Sequence, residues 1–173
     1  MRMTMVAVGA LMLFAPGGEV MGQAVAKPSG AFELGVGPAV GQGTGVGGHL
    51  TAGYVTAPTR FGLAIRLEGT LTTWRSLGDA GTWQGMRMSN AGVSLVQTLS
   101  RRALQPYLTA GGAAYTSQGA GVNFGLSGGA GLRFRVGAAS LFTEARVHSV
   151  RYERDRYDDY ARRLTTLTFG IRF

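Results

Sequence analysis

The sequence predicts an all-β protein: eight antiparallel strands wound up and down into a closed transmembrane β-barrel, preceded by a cleavable signal peptide. Three observations carry this. Segments of about ten residues alternate apolar and polar side chains between turn residues, the composition is rich in Gly and poor in charge, and a short apolar leader opens the chain.

At 173 residues the chain fits one domain, by the ~100–200 residues usual for a domain. Charged residues make up only 15% and Gly numbers 29. A helical bundle does not suit that mixture, since Gly in a helix interior costs about 1 kcal/mol relative to Ala. The absence of Cys excludes a disulfide framework, thiol chemistry and Cys-type zinc sites, and with only His49 and His148 a His-rich metal site is excluded too. No cofactor is expected. The net charge of +8 comes from 16 Arg and one Lys. Nucleic acid is one partner for such a balance. The Arg residues, however, are scattered through strands and loops, with no basic helix, zinc-finger spacing or aromatic RNA-binding signature. An anionic membrane surface accounts for the charge as well.

The leader "MRMTMVAVGALMLFAPGGEVMGQAVAKPSG" has Arg2, then an apolar run from Met5 to Ala15, then small residues at Gly22, Ala24 and Ala26. This is the order of a secretory signal peptide. A membrane-spanning helix needs about 20 apolar residues, and Pro16, Gly17, Gly18 and Glu19 cut this run short. Residues 1–24 are expected to be removed, with Ala26 the alternative cleavage point, leaving a barrel domain over 25–173. Without Cys there is no lipidation site for a lipid anchor.

The eight segments follow in order. The first, "AFELGVGPAV", sets Phe32, Leu34, Val36 and Val40 against Glu33, Gly35 and Gly37. In the second, "GVGGHLTAGYV", Leu50 and Tyr54 oppose His49 and Thr51. The third, "RFGLAIRLEGTLTTW", alternates Phe61, Leu63, Ile65, Leu67 and Leu71 with Gly62, Ala64, Arg66, Glu68 and Thr70. Both faces of the fourth, "MRMSNAGVSLVQTL", carry apolar residues, with Val93, Leu95 and Leu99 as the outer set. The fifth is "QPYLTAGGAAY". The sixth, "GVNFGLSGGAGLRFRV", places Val122, Phe124, Leu126, Ala130, Leu132 and Phe134 opposite Asn123, Gly125, Ser127, Gly129, Gly131 and Arg133. The seventh, "SLFTEARVHSV", has Glu144, Arg146 and His148 on its polar face. The eighth, "LTTLTFGIRF", alternates Leu167, Phe169, Ile171 and Phe173 with small or polar residues.

Connections alternate in character. "TAPT", "SRRAL" and "GAA" are short turns, whereas "RSLGDAGTWQG" and "RYERDRYDDYARR" are longer and more polar. Short periplasmic turns opposite longer extracellular loops are what an up-and-down membrane barrel has, so both termini are expected in the periplasm. Closure follows because backbone groups in hydrocarbon must be bonded internally.

With the signal peptide and eight alternating segments, "QPYLTAGGAAY", "GLSGGAGLRFRVG", "LFTEARVH" and the terminal "LTFGIRF" resemble the small outer-membrane β-barrel superfamily that includes OmpA-like and OmpX-like domains. The resemblance covers the whole mature chain. It implies a bacterial outer-membrane location, with outer-membrane lipid and lipopolysaccharide as the expected surroundings; the sequence does not fix the oligomeric state, and a monomer is the expectation. It also implies that Leu167, Phe169, Ile171 and Phe173 form the C-terminal signal read by the barrel-assembly machinery. No peptidoglycan-binding domain follows Phe173, so an OmpA-like wall-anchoring role is not expected.

Chemistry is expected in two places. Glu33, Arg66, Glu68, Arg133, Glu144 and Arg146 share the inner face, either as an ion path or as a paired network plugging a lumen just wide enough for side chains. A turn near Ala138 would bring Arg133 close to Glu144, and the plug is the expectation, with inner Gly residues making room for the Arg side chains. In the last loop Arg151, Tyr152, Arg154, Arg156, Tyr157 and Tyr160 suit contact with lipopolysaccharide phosphates or another cell's surface, or simply a solvated hairpin with internal ion pairs. His49 and His148 near the rim raise the question of a lipid-modifying enzyme, but no nucleophile-elbow motif accompanies them. Trp74, Trp83, Tyr54, Tyr107, Tyr115 and Phe173 are expected to supply interfacial aromatic belts. The expected function is therefore structural or surface-interacting, without catalysis. A narrow passage for small hydrophobic molecules is the alternative.

Overall fold

The structure, a computed structural model, describes residues 30–41, 45–77, 83–100, 102–117, 121–151 and 163–173. Its strands are β1 (Ala31–Gly41), β2 (Val46–Val55), β3 (Leu63–Leu77), β4 (Trp83–Thr98), β5 (Leu104–Ser117), β6 (Gly121–Val136), β7 (Ala139–Arg151) and β8 (Arg163–Arg172). Each pairs antiparallel with the next and β1 pairs with β8, so the sheet is a closed barrel. The β6–β7 hairpin turns on two residues, Gly137 and Ala138, with Val136 opposite Ala139. Gly137 supplies the positive φ (60°) that such a tight turn requires at its first position.

Alternation is realised inside out. Phe124, Leu126 and Phe61 are about 70% exposed on the exterior, and Phe32, Leu50, Leu95, Leu108, Leu141 and Phe169 stand out beside them. Glu33, Arg66, Arg133, Glu144 and Arg146 are buried inside. Water would oppose both choices, because an exposed apolar surface this continuous and a buried charge cluster are each unfavourable there. Hydrocarbon favours the first and an ion-paired network permits the second.

Ring closure rests on the last residue. Phe173 N–H donates to the Phe32 carbonyl (3.0 Å) and Phe32 N–H to the Phe173 carbonyl (2.9 Å). Their rings stack at 6.4 Å, and Tyr54 packs edge-on to Phe32 at 5.2 Å. The β1–β8 ladder is interrupted once. Pairing runs from Glu33 to Val36 and resumes at Ala39, skipping Gly37 and Pro38, whereas pairing with β2 continues through Pro38 and Gly48. Proline has no N–H to give to the ladder.

Two expectations are corrected. Trp74, Tyr107 and Tyr115 do not face lipid; they are 4% or less exposed and lie inside the barrel. Strand phase places them there, in register with the inner polar residues rather than the outer leucines. Of the residues expected in the belts, Tyr54 and Phe173 are on the exterior, joined by Phe32, Phe61 and Phe134 around the end that carries the short turns. Trp83 begins β4, and its side chain lies outside the described set. The inner glycines, expected to make room for arginine, do so at Gly53 and Gly129, which lie against the Arg66 and Arg146 side chains, but three others accommodate rings. A Cβ at Gly131 would overlap the Tyr107 ring, one at Gly125 the Tyr115 ring and one at Gly170 the Phe142 ring. A flat ring fills the space across from a missing side chain, while an arginine stem can extend along the barrel axis instead.

Ala130 sits on the exterior of β6 between Leu108 of β5 and Ala145 of β7, midway along the apolar face of its strand. Ala130→Arg is expected to lower stability by about 2–4 kcal/mol, the cost of a cation at the bilayer midplane, measured by urea unfolding in lipid vesicles.

Candidate functional site

Eight strands enclose a lumen that side chains can fill, and here they fill it in layers. At the end that carries the longer connections, Ala39, Trp74, Met88, Tyr115, Val150 and Leu164 form an apolar cluster. Met88 pointing inward explains why β4 shows apolar residues on both faces: its inner side packs into this cluster. Two histidines lie below it. His148 shares a hydrogen bond with the Tyr115 hydroxyl through Nδ1 (2.9 Å) and lies 3.5 Å from Thr166 Oγ1 through Nε2, while His49 Nε2 shares one with Thr168 Oγ1 (2.8 Å).

The charged layer comes next. Arg66 Nη1 donates to Glu144 Oε2 (2.8 Å) and its Nε lies 3.0 Å from Glu33 Oε2. Arg146 Nη2 lies 2.6 Å from Glu144 Oε1, and its Nη1 pairs with Glu68, which also accepts from Ser94 Oγ (2.8 Å). Arg133 Nη2 reaches Glu33 Oε1 at 3.4 Å and Arg172 Nη1 reaches the same oxygen at 3.6 Å. The Tyr107 ring lies under the guanidinium groups of Arg66 and Arg133, with centroid distances of 5.8 and 5.0 Å. A cavity of about 20 Å³ remains among these groups. One water-sized probe occupies a similar ~10–15 Å³, so little open space remains within the layer.

All six inner-face residues expected from the sequence thus meet in one network. Arg133 and Glu144 share the inner face, as expected, but as diagonal neighbours rather than opposite each other. The two-residue turn puts Arg133 opposite Phe142 and Glu144 opposite Gly131, and Arg133 crosses the lumen to Glu33. Sequence reasoning missed Arg172 and Tyr107. Their phase was the available signal: Arg172 alternates with Ile171 and Phe173, and Tyr107 lies two residues from the inward Thr109. Leu167, Phe169, Ile171 and Phe173 all face outward on β8 or just past its end. Of the last-loop residues, Arg151 is exposed at the end of β7, and Tyr152, Arg154, Arg156, Tyr157 and Tyr160 lie outside the described residues.

Glu33 carries the greatest share of the pairing, since Arg66, Arg133 and Arg172 all converge on it. Glu33→Leu is expected to cost about 3–5 kcal/mol by leaving buried cations uncompensated. Adding Arg133→Leu to it should recover at least ~1 kcal/mol, a coupling of the size found for residues in one network. Unfolding curves of the two variants in vesicles measure both.

No family model matches the chain and no curated protein does. Solved structures do. Neisserial surface protein A (NspA) superposes with a TM-score of 0.66 at 13% identity, covering 83% of this chain and 94% of its own. A major outer membrane protein from Thermus thermophilus gives 0.52 at 14% identity, and the outer membrane enzyme PagL gives 0.54 at 18%. Each of these two covers 83% of this chain and is itself covered to 98%. With its closed wall of eight antiparallel strands, the chain has the fold of the small eight-stranded outer-membrane β-barrels.

Proposed function

We propose that the protein is an integral β-barrel of the bacterial outer membrane with a structural or surface-interaction role, its lumen closed to passage. The observation that carries this is the filled interior: an apolar cluster stacked on a cross-linked network of three carboxylates and four arginines. A path for solutes or ions needs continuous space, and eight strands leave little once side chains of this size point inward. The outer-membrane location is supported by the apolar exterior and by the fold shared with NspA, the Thermus protein and PagL. Both termini in the periplasm, cleavage of the leader after Ala24 or Ala26, and recognition of Leu167, Phe169, Ile171 and Phe173 by the assembly machinery are part of the same reading.

Outer-membrane lipid and lipopolysaccharide are the proposed surroundings. Arg75, Arg87, Arg151 and Arg163 are exposed on the outward phase of their strands at the end with the longer connections. Guanidinium groups placed there suit lipid phosphates. Catalysis is not part of the proposal, although PagL is an enzyme. His148 contacts a tyrosine and a threonine, His49 a threonine, and Ser149 points to the opposite face of β7 from His148.

Purified protein in planar bilayers is expected to give no steady conductance above the lipid background, while unboiled samples migrate differently from boiled ones on an SDS gel. Stable unitary currents would overturn the closed lumen. A His49→Ala/His148→Ala variant that folds should leave the host's lipid profile unchanged; an altered profile would favour an enzyme.

A further inference from the structure

Beneath the charged layer, at the end with the short turns and the barrel's two chain ends, the lumen widens into a vestibule of about 450 Å³. Its two sides differ. Pro58, Ala64 and Val96, from the β2–β3 connection, β3 and β4, make an apolar strip bordered by Thr59, Arg60 and Thr98, whereas Arg133, Arg135 and Arg172, from β6 and β8, make a cationic wall beside Ser140. In an eight-strand ring β6 stands across from β2 and β8 across from β4, so Arg133 and Arg135 face the side of the β2–β3 connection and Arg172 the side of Val96.

No Asp or Glu lines this space among the described residues. Glu33 is the ion partner of both Arg133 and Arg172, and it is also engaged by Arg66. Arg133 Nε is buried without a hydrogen-bond partner. The chain's last carbonyl accepts from Phe32 N–H at the barrel seam. The vestibule therefore carries a cationic excess that its own carboxylates do not neutralise. Its volume falls within the ~300–1,000 Å³ of small-molecule sites, which typically combine apolar walls with a few convergent polar groups. Guanidinium forks match the oxygens of carboxylate and phosphate.

We propose that this vestibule binds a small amphiphilic oxyanion, a phosphate or carboxylate bearing a short alkyl group, with the anion on Arg133, Arg135 and Arg172 and the alkyl group against Pro58, Ala64 and Val96. Such a site is blind, because the plug above it blocks onward movement, so it retains a ligand rather than conducting it.

Isothermal titration of the folded protein in octyl glucoside with hexyl phosphate tests the assignment, with inorganic phosphate as the comparison. The expected result is one site per chain and an affinity at least about tenfold above that of inorganic phosphate, from the buried methylenes. Arg135→Gln/Arg172→Gln should weaken binding about tenfold or more, while Arg102→Gln, exposed in the β4–β5 connection and outside the vestibule lining, should not. Arg135→Gln alone, at the exposed rim, is the variant that leaves the network untouched, and it should weaken binding measurably. The gel shift on heating verifies that each variant is folded. No heat at millimolar hexyl phosphate, or full affinity in the double variant, would overturn the site. Equal affinity for inorganic phosphate would overturn the apolar strip's role. Repeating the titration in nanodiscs separates two sources of the anion: competition by phosphatidic acid points to a lipid headgroup, its absence to a soluble ligand, and both uphold the site. Conductance is a separate readout, so failure here leaves the closed-lumen reading standing, and a conducting barrel would leave this binding result standing.

Discussion

Everything in this structure depends on one requirement: each backbone N–H and C=O along the wall must find its partner on a neighbouring strand, because hydrocarbon offers none. A ladder that has no edge must return to its beginning. Phe173 completes that return by exchanging both backbone hydrogen bonds with Phe32, which gives the chain's final aromatic a structural task independent of any role in assembly. Once the ring is closed, side chains have two destinations only, lipid or lumen, and the alternation of the sequence decides between them residue by residue.

The narrowness of the ring then governs what the lumen can contain. Charged groups held away from water are tolerable when each has an opposite charge and hydrogen-bonding partners. Three glutamates serve four arginines here, and Glu33 is shared among three of them. The opposite end of the lumen is filled by rings and aliphatic groups, with Gly125 on the neighbouring strand receiving the Tyr115 ring. The interior is therefore graded along the axis, from apolar to hydrogen-bonded to ionic to an open cationic mouth. Such a gradient gives the two ends of the barrel different chemistry before any loop is considered.

Much of this could be read in the sequence, for a physical reason: the period of two is a strictly local property, visible wherever one face is uniformly apolar. The sixth segment is the clearest case, since its range and both its faces agree with β6. The six network residues were legible because a charge opposite a run of outer apolar residues falls on the inner face, whereas arginines at the strand ends, such as Arg75 and Arg87, can face outward. Pairings across the lumen were not, because they depend on curvature and on which strands stand opposite each other, and Arg133 accordingly meets Glu33 rather than the residue nearest along its hairpin. Aromatics were also misplaced. Trp74, Tyr107 and Tyr115 suit a lipid interface by type, but phase outranks type when a side chain has only two directions to choose from. The fourth segment was ambiguous because its inner residues pack into the apolar cluster and so resemble its outer ones.

Pro38 gives the cylinder a mechanical direction of failure. A barrel is a stack of hoops, and a hoop is as strong as its weakest joint. The joint between β1 and β8 skips two positions, whereas the joint between β1 and β2 runs unbroken. This is also the join between the first strand to leave the ribosome and the last, so the pair that must wait longest to meet is the pair with a gap in its fastening. The wall thus has one seam that is fastened less continuously than the β1–β2 joint beside it, held at one end by the Phe32–Phe173 clasp.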